Sequence, residues 1–336
     1  MFGAATYSGL RTAEKSDKES SSGRKRWQLS IGFRKQRSHR HFVGTEEQHE
    51  REEQRTQIVN DIFLWDVSLS YDITPRYSVF VSVPFMAATR TRPATLDQIR
   101  GIANPTTQVS NAVGFGDMSV GAKMWLFNPT PKQARKGNIA VGLSLKIPTG
   151  NEGVKDTVQT STGPREIVVD QSIQLGDGGW GLGLSVEAYK PVGKTTLYGT
   201  ASYLINPRDT NGVPTGRGRP TEAIMSVADQ YLARGGVIVP VKKGESWAVS
   251  LSMGGRIEGV PPKDLFGKSN GFRRPGYSIA IEPGVNFVRG NDIWTLSVPI
   301  AVKRNRQRSV SDLIVGGHGD AAFADYLITV GYSRRF

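Results

Sequence analysis

The chain has 336 residues with 39 Gly, 18 Pro, four His, no Cys and a formal net charge of +13. Without Cys there is no disulfide, thiolate metal centre or Cys nucleophile, and four scattered His leave little for a His-built site, so no metal or cofactor is expected. The basic excess falls in predicted loops, away from any helix and from stacking aromatics, which argues against nucleic acid as a partner.

Residues 1–25 are rich in Ser, Lys and Glu and predict a disordered periplasmic arm. They hold no basic leader followed by an apolar stretch, so if the protein is exported its signal peptide is missing from this sequence. From residue 26 onward the dominant period is two, the signature of strands. Phe63, Trp65, Val67, Leu69 and Tyr71 alternate with Leu64, Asp66, Ser68, Ser70 and Asp72. Ile139 to Ile147, Trp180 to Ala188, Trp247 to Met253 and Trp294 to Val302 repeat the pattern. Twelve such segments have approximate cores at 26–38, 58–73, 77–91, 115–127, 138–148, 179–190, 195–206, 224–241, 246–259, 276–288, 292–304 and 324–336. Their connections alternate, short at Pro75, Pro191–Lys194 and Lys242–Glu245, long at about 40–57, 92–114, 149–178, 207–223, 260–275 and 305–323. No window approaches the roughly 18 consecutive apolar residues of a membrane helix, but barrel strands need no such window.

The prediction is an all-β fold: a closed antiparallel transmembrane β-barrel of twelve strands over 26–336, with short periplasmic turns and long extracellular loops. Trp27, Tyr71, Tyr77, Trp180, Trp247, Tyr277 and Trp294 recur at the ends of the apolar stripes, as an aromatic girdle at a lipid–water boundary requires. The other face is small and polar, which a wet interior tolerates and an apolar core does not.

The stretch from Gly114 to Asn151, with Gly116–Asp117 opening one strand and Pro148–Thr149–Gly150 ending the next, resembles the outer-membrane family of meta-pathway phenol degradation proteins. That resemblance implies an outer-membrane barrel taking up small, often hydrophobic or aromatic, compounds in a Gram-negative bacterium. The tail, with Ile328, Val330, Tyr332 and Phe336 on one face, resembles the C-terminal signal read by the barrel-assembly machinery. Arg334 departs from that signal, since it fills an outward place usually apolar or aromatic.

Inward-facing by alternation are Asp66, Asp117, Lys123, Lys146, Glu187, Arg234, Arg256, Glu258, Glu282 and Lys303. They either pair and lace a nearly plugged lumen or line a pore that selects a solute. Twelve strands imply a narrow path, between the filled barrel of about eight and the open porin of about 16–18. A basic outer rim is expected from Arg208, Arg217, Arg219, Lys263, Lys268, Arg273, Arg274, Arg304, Arg306 and Arg308. Either lipopolysaccharide phosphates pair with it or it steers anionic solutes.

Enzymatic chemistry finds little support. AYKPVGKT (Ala188–Thr195) matches a loose phosphate-loop form, but an alternating strand follows where a helix would be needed. Ser38 with His39 and His41, or His318 with Asp320, offer fragments of a hydrolase constellation without its remainder. The reading is a passive channel or transporter for small molecules, against the alternatives of a barrel hydrolase of the lipase or protease type or a soluble β-barrel binder.

Overall fold

The computed structural model describes residues 26–336; the arm predicted over 1–25 lies outside them. Among the described residues, twelve staves close into one antiparallel barrel. They are β1 (Trp27–Val43), β2 (Val59–Asp72), β3 (Tyr77–Arg92), β4 in two pieces (Gln108–Phe115 and Met118–Trp125), β5 (Asn138–Ile147), β6 (Gly181–Val192), β7 (Thr195–Ile205), β8 (Gln230–Lys243), β9 (Trp247–Val260), β10 (Gly276–Arg289), β11 in two pieces (Asp292–Ser297 and Ile300–Arg306) and β12 (Ala321–Arg335). Closure comes from β1 on β12, with Leu29 opposite Arg334 and Phe33 opposite Val330. Phe336 completes the seam by exchanging backbone hydrogen bonds with Trp27 (3.2 and 3.0 Å). A closed sheet leaves no unpaired edge, the condition for spanning lipid with strands.

Alternation decides which face meets which solvent. Val67, Val120, Leu143, Leu184, Val237, Leu251, Ile281, Leu296 and Val330 all stand exposed on the outside of the wall. So many large apolar side chains cannot face water in one continuous belt; they face lipid. At the short-turn end Trp27 packs against Tyr71 (ring centroids 4.7 Å apart, planes tilted by 50°), and Trp247, Phe287, Trp294 and Tyr332 form a contiguous row. Trp180 and Tyr277 stand at the opposite end, beside long connections. The Pro191–Lys194 segment is the tight turn between β6 and β7, with Val192 opposite Thr195, and is followed by a strand and not by a helix.

The structure revises the predicted bounds in three places. β1 runs to Val43, five residues beyond the predicted 38. Stave β4 begins at Gln108, inside the stretch expected to be a 92–114 loop, and breaks at Gly116–Asp117. The alternation is interrupted in sequence by Asn111, a polar residue at an outward, exposed position between Val109 and Val113. The predicted 224–241 strand divides, since Ile224–Ser226 pairs with Thr210–Pro214 outside the barrel sheet and the stave starts at Gln230.

Candidate functional site

The Gly116–Asp117 break and the Pro148–Thr149–Gly150 ending of β5 meet at one joint. Asp117 accepts hydrogen bonds from the Gly150 N–H (2.9 Å) and the Asp177 N–H (3.2 Å). Thr149 accepts from the Met118 N–H (2.9 Å) and donates to the Gly116 carbonyl (3.1 Å). Backbones pass too close for side chains here. A Cβ on Gly150 would lie 2.8 Å from the Leu175 carbonyl oxygen and 2.9 Å from Gly116 C and Gly176 Cα. Gly116, Gly150 and Gly176 are therefore small because three strands of chain cross at one point.

From this joint the long connection between β5 and β6 turns into the barrel. It makes a hairpin (Lys155–Thr160 with Gly163–Val168) and then a short 3-10 turn, Gln171–Ile173. Val169 and Ile173 are fully buried against Ala88 and Ala112 of β3 and β4, with Ile62, Met86, Val154 and Leu175 around them. On this side Ser172 also donates to Asn60 (3.2 Å). On the other side, Gln171 donates to the carbonyls of Ser226 (2.9 Å) and Phe272 (3.0 Å), ahead of β8 and β10. The turn thus reaches from the wall at β2–β4 across to the loop segments that precede β8 and β10.

Asp170 is its electrostatic anchor. Both carboxylate oxygens take a bidentate fork from Arg274 (2.8 Å each), and Arg90 of β3 adds a contact at 3.4 Å. Burial pushes the carboxyl up, but the charges of Arg274 and Arg90 and the hydrogen bond to Arg274 overcome it and hold Asp170 well below the usual carboxylate range. Two cations share one anion, and Arg274 also lies 4.6 Å from the Phe272 ring, which Arg217 approaches at 3.7 Å.

Below and beside this crossing segment is a cavity of about 570 Å³. One part of its lining is apolar, with Leu204, Met225, Leu232, Phe323 and Leu327. Another is charged. Arg34 (2.9 Å) and Arg256 (2.6 Å) grip Glu258, while Lys146 lies between Asp177 and Asp117, 3.8 Å from the latter. An apolar arc facing pinned polar groups suits a small molecule with an apolar body and a polar end.

Of the ten residues predicted to face inward, all but Lys303 lie on the inner face. Asp66 accepts from Ser82 (2.5 Å), Lys123 pairs with Glu187 (3.4 Å), Arg234 with Glu282 (3.1 Å) and Glu282 with Ser297 (2.8 Å). Lys303 is turned outward: a bulge at Val302 shifts the register so that Lys303 opposes the outward Ile279 and Arg304 opposes the inward Ser278. Arg34, Arg90 and Asp170 were missed. Arg34 alternates correctly in GFRKQR, whereas Asp170 carries no periodic signal at all.

The predicted rim is mostly not a free basic surface. Arg273 forms a buried fork with Asp264 (2.6 and 2.5 Å), Arg306 pairs with buried Asp312 (3.0 Å), Arg304 with Asp325 (2.7 Å), and Arg274 turns in to Asp170. The loops supply their own carboxylates, which corrects the expectation for these four. Arg217 and Arg219 share Glu222 (3.3 and 3.6 Å). Arg208 donates to the Gly178 and Thr210 carbonyls, and Arg308 to that of Gly317. Lys263 and Lys268 stand exposed.

The hydrolase fragments do not assemble. Ser38 accepts from Gln36 (2.8 Å), and His318 Nε2 donates to the Arg306 carbonyl (2.7 Å). Buried His41 has Asp320 at Nδ1 (2.7 Å) and the Ile58 N–H at Nε2 (3.0 Å), so the nitrogen that would serve as a base faces backbone. Asp320 is itself held down at about 2, because the His41 hydrogen bond and the Arg51 charge outweigh burial, the largest single influence, which acts upward.

No protein-family model and no curated protein matches the sequence. The fold is similar to solved outer-membrane barrels. An outer membrane channel from Pseudomonas putida F1 aligns with a TM-score of 0.57 at 11% identity, covering 93% of this chain and 96% of that one. The translocator domain of the autotransporter NalP from Neisseria meningitidis gives 0.46 at 12% identity, covering 98% and 94%. The P. putida toluene transporter TodX gives 0.42 at 9% identity, covering 93% and 90%.

Proposed function

We propose that the protein is an outer-membrane channel for passive uptake of small molecules with an apolar or aromatic body. The observation that carries this reading is the half-apolar cavity of about 570 Å³ inside a closed wall, beneath a segment that crosses the lumen. The likeness to an outer membrane channel supports the fold on which it rests. Membership of the meta-pathway phenol degradation family belongs to this proposal, on Gly116–Asp117 and Pro148–Thr149–Gly150. So do the roles of Tyr332 and Phe336 in recognition by the assembly machinery. Proteoliposome uptake tests the reading. Small neutral aromatic solutes should enter faster than sugars of equal mass, and equal rates for both, or none above empty vesicles, would overturn it.

A further inference from the structure

The outside of the wall carries an asymmetry at the upper edge of its apolar belt. On β6 and β10 that edge is marked by Trp180 and Tyr277. On β11, β1 and β2 it is marked by charge. Lys35 lies eight residues above Trp27 along β1, which at about 3.3 Å per residue and a tilt of about 40° places it about 20 Å above the lower girdle, near the top of a belt about 25 Å tall. Arg37 stands one outward position higher and donates through one terminal nitrogen to both carboxylate oxygens of Asp61 of β2 (3.1 and 2.9 Å), with its side chain 60% exposed. Lys303 reaches the same face through the Val302 bulge and is exposed. Strand β12 separates Lys303 from Arg37, so the cations lie about 10 Å apart laterally.

Asp61 is occupied by Arg37, and Asp325 by Arg40 and Arg304. Among the described residues, Lys35 and Lys303 have no carboxylate partner; the Lys35 amine sits 5.7 Å over the Phe63 ring. Below them the wall is apolar, with Ile31 and Val330 exposed. A cation on the lipid face needs an anion at headgroup height with hydrocarbon beneath it. We infer that Lys35, Arg37 and Lys303 form a specific site for the phosphate of an outer-leaflet phosphoglycolipid, its acyl chains lying along the wall under them. The inference rests on the outer-membrane reading of the barrel, and it places the lipid-binding cations on the wall instead of in the loops.

Native mass spectrometry of the detergent-purified chain with lipid A carrying both phosphates tests this. The wild type should retain lipid A, while the triple variant K35S/R37S/K303S should retain at least tenfold less. Lipid A stripped of phosphate should not be retained, and K263S/K268S should behave as wild type. Equal retention by the triple variant, loss in K263S/K268S, or equal displacement by phosphatidylglycerol would each overturn the site. Heat-modifiable mobility of the same samples reports the folded barrel separately: its absence in wild type would refute the outer-membrane reading, whereas its presence without lipid retention would refute only the site.

Discussion

Replacing Asp170 with Asn should release the segment that crosses the lumen. In the wild type one carboxylate neutralises Arg274 through two 2.8 Å bonds and also meets Arg90 at 3.4 Å, with all three side chains at least 80% shielded. Asn keeps the size and one acceptor, so the Ser172 N–H (3.0 Å to Asp170) can still be capped, but two guanidinium groups lose their only strong shared anion. Removing one partner of a buried pair costs about 3–5 kcal/mol. At about 1.4 kcal/mol per tenfold, the lower figure shifts the balance between seated and released segment by about a hundredfold. Planar-bilayer recording should show a larger and noisier single-channel conductance in D170N. Protease nicking of the 155–168 hairpin should quicken as well. Wild-type conductance with wild-type nicking would refute the claim that Asp170 holds the constriction.

Gly150→Ala should loosen the same segment from its other end, because the new Cβ would fall 2.8 Å from a carbonyl oxygen; a lowered unfolding midpoint, seen as loss of heat-modifiable mobility at lower temperature, checks it. Leu184→Arg, outward at mid-belt and 45% exposed, should cost about 2–4 kcal/mol in barrel stability in lipid, measurable by urea titration in bilayers. Asp320 has its folded value depressed to about 2 from an unfolded value near 3.9, so its contribution is present above about pH 4 and is lost as pH falls towards 2. Protease protection of the β1–β2 connection, which Arg51 ties to Asp320, should accordingly hold from pH 7 to 4 and decline below it. Deleting Phe336, whose backbone closes the seam on Trp27, should lower surface levels in cells more than refolding yield in detergent.

The wall was legible because its rule is strictly local. A strand between lipid and a wet lumen must alternate, so Phe63 to Asp72 or Ile139 to Ile147 declares its two faces residue by residue. The rule fails where one extra residue enters. The Val302 bulge reverses the parity of every later position on that piece, which sends Lys303 out and brings Arg304 and Arg306 in. The lumen's contents were less legible for a different reason. Asp170 and Gln171 are placed by tertiary contacts to Arg274, Ser226 and Phe272, which lie 55 to 104 residues away in the chain. Nothing near Asp170 in sequence distinguishes it from a solvated loop carboxylate. Gly116–Asp117 and Pro148–Thr149–Gly150 stood out in the sequence, but their purpose, a three-way backbone crossing that turns a loop inward, appears only once Gly176 is seen beside them.

Filling the cavity addresses the central claim most directly. Ala280 of β10 is 7% exposed and lines the cavity, so Ala280→Trp should occupy the space where the solute passes. Uptake of a small neutral aromatic into proteoliposomes should fall to the level of empty vesicles while the variant keeps its heat-modifiable mobility. A folded Ala280→Trp barrel that transports at the wild-type rate would contradict passage through this lumen.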